Sequence, residues 1–224
     1  MYQLNLKDWS DIIKKINIYQ VHMEFLIQII IFLPAIIIAL TFHEYAHAWV
    51  AYKLGDPTAK AEGRLTFNPI AHLDPLGTMM LILFRFGWGK PVPINEYNFA
   101  DPVKGTALSS LAGPVTNLIL ALGMAGILNV FTITNPLLNA MLTYFVLINI
   151  LLMLFNLLPI PPLDGHKVVR ALLPGKLRYS WESLENYSPF LLIGTLFLII
   201  YTGVLQTVIS FILQILIPQS QLFL

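Results

Sequence analysis

Charged residues vanish from the chain in three long stretches, and the apolar blocks they leave predict its elements. Residues 25–52 hold a single charge, Glu44, while residues 105–163 and 186–224 hold none. The first block, residues 25–50, would be about 39 Å long as a helix at about 1.5 Å per residue, enough to cross a hydrocarbon layer of about 30 Å with some tilt. Pro34 is expected to kink it. Residues 105–131 and 137–158 make two further spans across a short uncharged turn at Asn135-Pro136, and residues 188–217 make a fourth. The stretch between the first two spans has another character. Alternating Leu65/Phe67 and Pro91-Val92-Pro93-Ile94 suggest short strands broken by proline. Residues 76–86 are apolar but too short to span, which suggests a re-entrant or interfacial piece.

The positions of the charges then orient the spans. Residues 53–104 carry six Lys or Arg and residues 159–187 carry four, whereas the Asn135 turn and the C-terminal tail carry none. Both basic loops are therefore expected to face the cytoplasm, which puts the N-terminus outside despite Lys7, Lys14 and Lys15. Leu6, Trp9, Ile12, Ile13 and Ile16 follow helical spacing, so residues 1–22 are expected to lie on the lipid surface as an amphipathic helix. The predicted whole is an all-α membrane protein: one domain over residues 1–224, a polytopic helical bundle of about four transmembrane helices, with a re-entrant or β-strand region at 53–104.

Composition narrows the chemistry. The chain of 224 residues is 57% hydrophobic and 11% charged, against roughly 45–50% and 25% in soluble domains, so a water-soluble globule is excluded. The first apolar block is too long for a cleaved signal h-region. A net charge of +1 leaves no footprint for nucleic acid. With no cysteine, any metal must be held by His, Asp or Glu.

Within the first span, His43-Glu44-Tyr45-Ala46-His47 forms H-E-x-x-H, a pattern expected by chance about 0.003 times in a chain of this composition. Two histidines four residues apart share a helix face and can share a metal, while Glu44 can reach a water on it. Two imidazoles and a carboxylate in an otherwise uncharged span are costly in lipid without a compensating cation. Hydrogen bonding between helices is the plainer alternative. Catalytic zinc commonly takes a third protein ligand and keeps one position open. The candidates are His22, His72, Asp74, Asp164 and His166. Asp164 leads on depth, because Pro159, Pro161 and Pro162 end the third span near the boundary that His47 approaches. His166 follows, then the His72/Asp74 pair; a plain turn at Asp164-Gly165 is the structural alternative.

These motifs together, HEYAH in one span, LAGPVTN in a second and NLLPIPPLDG at the end of a third, resemble the site-2 protease family of intramembrane zinc metalloproteases (peptidase family M50) over residues 25–164. The resemblance implies one Zn²⁺ ion held by His43, His47 and Asp164, Glu44 as catalytic base, and Asn156 positioning substrate or stabilising an oxyanion. It implies close packing for Gly113, Pro114 and Asn117. A compact form is expected, with no room for the PDZ or CBS domain of many relatives. The expected substrate is the transmembrane helix of another protein in the cell membrane, cut near the cytoplasmic side. Residues 63–75 resemble a compact subgroup and would serve as an edge-strand platform or as loop scaffolding. The competing classes are a non-enzymatic membrane metal transporter or channel, and a different membrane zincin acting on prenylated C-termini, which would not explain NLLPIPPLDG.

Overall fold

The computed structural model describes the backbone of residues 6–84 and 87–217, with side chains throughout except at 6–22, 24–26 and 84. Four helical stretches are long and apolar enough to cross a membrane, at 27–53, 102–130, 136–156 and 175–202; the chain is a multi-pass membrane protein. Helix α1 (Leu6–Lys53) runs through Pro34 without interruption. The surface helix expected over residues 1–22 falls on side chains outside the described residues, and the backbone from Leu6 continues directly into the span.

Helices α4 (Pro102–Val130) and α5 (Pro136–Asn156) begin alike. Asp101 accepts from Lys104 N–H and Asn135 from Leu138 N–H, each followed by proline at the first helical position, where its missing donor costs nothing. The helices α1, α4 and α5 form the core. Ala35 and Ala39 of α1 meet Ile148 of α5, and Ala121, Ala125 and Leu128 of α4 meet Val146 and Ile150. Small residues at these contacts let backbones approach closely, which replaces the missing hydrophobic drive in lipid.

The strands expected between the first two spans are not found among the described residues; a single antiparallel bridge joins Leu73 to Gly89. Beyond the backbone bond from Lys90 N–H to His72 O at that bridge, side chains take the place of partner strands. Val92 N–H donates to Glu44 and Asn95 N–H to Asp56, while the Arg64 guanidinium donates to the carbonyls of Lys90 and Pro91. Pro91 and Pro93 have no donor to offer a ladder. The region instead holds the short α2 (Thr58–Ala61) and the apolar α3 (Pro75–Phe84), capped by Asp74 at Gly77 N–H. The chain returns along α3, so closely that a Cβ on Gly77 would lie 2.1 Å from Trp88 O. The segment is thus a hairpin beginning and ending at the Leu73–Gly89 bridge.

Asp56 organises the far end of this region. Its buried carboxylate accepts from Thr58 N–H and hydroxyl, Asn95 N–H and the Asn98 carboxamide. Burial alone would raise its pKa, but these donors outweigh it and hold the carboxyl below the usual carboxylate range. The contribution is therefore present at neutral pH and is lost as pH falls through that lowered value. Asp56→Ala strands the donors at about 1–3 kcal/mol for each that stays buried. Limited proteolysis between residues 90 and 101 should be faster in this variant at pH 7; an unchanged rate would remove Asp56 as the organiser.

The span expected over residues 188–217 is divided. Gly203, at φ 63°, separates α8 (Ser188–Thr202) from α9 (Val204–Leu216), a left-handed conformation that costs a glycine little. Helix α9 packs on α4 and α5 through Ile209 and Leu213, whereas α8 buries no residue. Helices α6 (Asp164–Leu172) and α7 (Gly175–Glu182) lie between α5 and α8. Arg170 of α6 pairs at 2.6 Å with both Glu96 and Glu182, tying the two basic loops together at one end of the bundle.

Candidate metal centre

On α1, a spacing of four residues sets His43 and His47 on one face, with ring centroids 4.5 Å apart. Their Nε2 atoms are 2.9 Å apart, and Asp164 Oδ2 lies 3.3 Å from each. All three residues are buried. Asp164 reaches them because the chain leaves α5 through Pro159, Pro161 and Pro162 and restarts as α6 at Asp164 itself. Gly165 is required there: a Cβ would lie 2.2 Å from Leu157 O.

Helix α4 closes the other side. His47 Nδ1 is 2.7 Å from Ser109 O, and His43 Nδ1 is 2.6 Å from Asn117 Oδ1. A Cβ on Gly113 would lie 2.4 Å from His47 Nε2 and 2.6 Å from His43 Cε1, so the rings occupy the space that glycine leaves. Close packing is thus observed at Gly113, but Asn117 does more than pack. Its 74-residue separation from His43 hides that contact from any local sequence pattern.

The donor set fits zinc. With both Nδ1 atoms engaged, two Nε2 atoms and a carboxylate oxygen face one another, an arrangement that a metal ion, or a proton on one imidazole, must relieve. Bonds of about 2.0–2.1 Å to a tetrahedral ion would separate the donors by about 3.4 Å, close to the observed 2.9–3.3 Å. Three protein donors leave the fourth position for water or substrate. Glu44 is buried beside them, with Oε2 accepting from Val92 N–H at 2.9 Å.

The other candidates lie elsewhere. His72 directs Nε2 to Thr66 O, Asp74 caps α3, and His166 stacks on Trp181 and faces Glu185 at 3.4 Å. The side chain of His22 is outside the described residues. Asn156 ends α5, and its amide donates back to Leu152 O at 3.0 Å; among the described residues it makes no hydrogen bond to the three donors. Tyr52, about 7.5 Å along the helix axis from His47, accepts from Lys60, whose ammonium also sits over its ring, and Lys53 lies over Trp49. Aromatic and basic side chains of this kind are enriched at membrane–water interfaces.

Comparison with known proteins agrees with this chemistry. The model of "Peptidase family M50" matches residues 123–201. Three curated relatives share the printed name "Putative zinc metalloprotease". YwhC of Bacillus subtilis (strain 168) is 43% identical over 160 residues, covering 68% of this chain and 73% of that protein. Rip2 of Mycolicibacterium smegmatis is 31% identical, and Rip2 of Mycobacterium tuberculosis (strain H37Rv) 32%; each alignment covers 62% of this chain and 60% of the relative, so the matched part is less than two thirds of Rip2. No solved structure matches.

Proposed function

From the chain's membership of peptidase family M50, to which it belongs as a zinc metalloprotease of the membrane, we propose that it hydrolyses a peptide bond within or near the transmembrane helix of another membrane protein. The observation that carries this reading is the convergence of His43, His47 and Asp164 inside an apolar bundle, with Glu44 beside them. In this reading the three hold the zinc.

Zinc, when bound, polarises the scissile carbonyl and acidifies a water. Glu44 accepts a proton from the attacking water and passes it to the leaving amine. The Val92 N–H fixes one carboxylate oxygen, which orients the base. Asn156 lies at the same end of α5 as the approach to Asp164; a rotamer change that frees its amide from Leu152 O would let it donate to the developing oxyanion. A helical substrate hides its peptide groups in its own hydrogen bonds, so it must unwind locally and find new partners. The extended segment at 91–94, held by Arg64 at Pro91 O and by Glu44 at Val92 N–H, can supply acceptors through the carbonyls of residues 92–94. The two basic loops meet at the metal end of the bundle through the Arg170–Glu96 pair, which supports a cytoplasmic position for the site.

The test is reconstitution with a single-span substrate. Intact protein should cleave it, chelated protein should not, and added zinc should restore the activity. Zinc flux across sealed vesicles with no cleavage of any transmembrane substrate would contradict the reading.

A further inference from the structure

Two buried carboxamides beside the metal centre have a polarity that the backbone dictates. Asn149 of α5 donates from Nδ2 to Phe145 O at 2.9 Å. A carbonyl only accepts, so Nδ2 must face it and Oδ1 must face away, toward Asn117. Asn117 donates from Nδ2 to that Oδ1 at 2.9 Å and to Ala39 O at 3.2 Å. Ala39 O is again a pure acceptor, and the two requirements agree. Asn117 Oδ1 is then left facing His43 Nδ1 at 2.6 Å, which must carry the proton. Asn117 and Asn149 are both fully buried, and neither can turn over without opposing like groups.

We propose that Asn117 and Asn149 act as positioning residues, an amide relay running from α5 through α4 that commits His43 to the Nδ1–H tautomer and aims its Nε2 at the zinc. This deepens the reading of His43 as a ligand and rests on it. The contrast with His47 shows why a relay is needed. His47 Nδ1 meets a backbone carbonyl, Ser109 O, which has one polarity by nature. His43 meets a side-chain amide that could present either end, and Asn149 with Ala39 removes the choice. An aliphatic side chain at 117 would fill the same interface without telling the imidazole which nitrogen to protonate. Partners of this kind typically change metal affinity by about 10–100-fold when removed.

The test compares wild type, Asn117→Leu, Asn149→Leu and Asn129→Leu in detergent. Asn129 also lies on α4 but bonds Ala125 O and Leu216 O, away from the metal. Zinc affinity by chelator competition should fall about 10–100-fold in Asn117→Leu, by less in Asn149→Leu, which keeps the Ala39 bond, and not at all in Asn129→Leu. In metal-free protein, ¹⁵N imidazole shifts should show His43 as a single Nδ1–H tautomer in wild type and as a mixture in Asn117→Leu. Asn117→Ala repeats both measurements without added bulk if the leucine variant does not fold. Wild-type affinity together with an unchanged tautomer in the Asn117 variants overturns the relay. Wild-type protein that binds no zinc would sink the ligand reading instead, while the metal-free tautomer would still judge the relay.

Discussion

Glu44→Gln should lower cleavage by roughly 10²–10⁴-fold, the usual worth of a positioned general base, and leave zinc bound. The substitution removes one negative charge and the proton-accepting oxygen but changes little in shape. Glutamine keeps a carbonyl oxygen that can accept from Val92 N–H, so the 91–94 segment should stay in place. The three metal donors are untouched. Activity and zinc content therefore separate in this variant: near-zero turnover with one zinc per chain is expected. Full turnover would remove Glu44 from the chemistry, and loss of zinc together with activity would assign it to the metal rather than to proton transfer.

Gly113→Ala should have a comparably large effect through a different route. The added methyl would lie 2.4 Å from His47 Nε2 and 2.6 Å from His43 Cε1, well inside van der Waals contact. Neither ring can retreat, because Ser109 O and Asn117 hold their Nδ1 atoms from the same helix. The methyl must therefore push α1 from α4 or displace a donor, and zinc affinity should fall by more than the roughly 10–100-fold worth of an outer hydrogen bond. Gly123 and Gly126 are built-in controls on the same helix. A Cβ there meets nothing within 4 Å, so Gly123→Ala and Gly126→Ala should keep both zinc and activity. Wild-type zinc affinity in Gly113→Ala, measured by chelator competition, would mean that α4 does not cover the imidazoles.

How much of this was legible in the sequence depended on the range of the forces involved. The spans could be read from gaps in charge, since a bare charge in hydrocarbon is costly wherever it falls. The convergence of His43 and His47 follows from helical periodicity, and the prolines before Asp164 place it at matching depth. What stayed hidden rested on contacts between distant positions. The segment around Val92 reads locally as strand, but the Glu44 carboxylate accepts the Val92 N–H and the Asp56 carboxylate that of Asn95 just beyond it. The break at Gly203 was obscured because glycine is common in membrane helices and its neighbours are uniformly apolar. Asn117 read as packing, since nothing near it in sequence points to an imidazole 74 residues away. Asn156 shows the reverse: its motif suggests a part in catalysis, yet its amide is directed back into its own helix.

X-ray absorption at the zinc edge of the loaded protein bears most directly on the centre. Four nitrogen or oxygen donors at about 2.0–2.1 Å, with multiple scattering from two imidazoles, are expected in wild type, and Asp164→Ala should lose an oxygen donor or fail to retain the ion. Zinc without imidazole scattering, or a spectrum and zinc content that Asp164→Ala leaves unchanged, would contradict a site built from His43, His47 and Asp164.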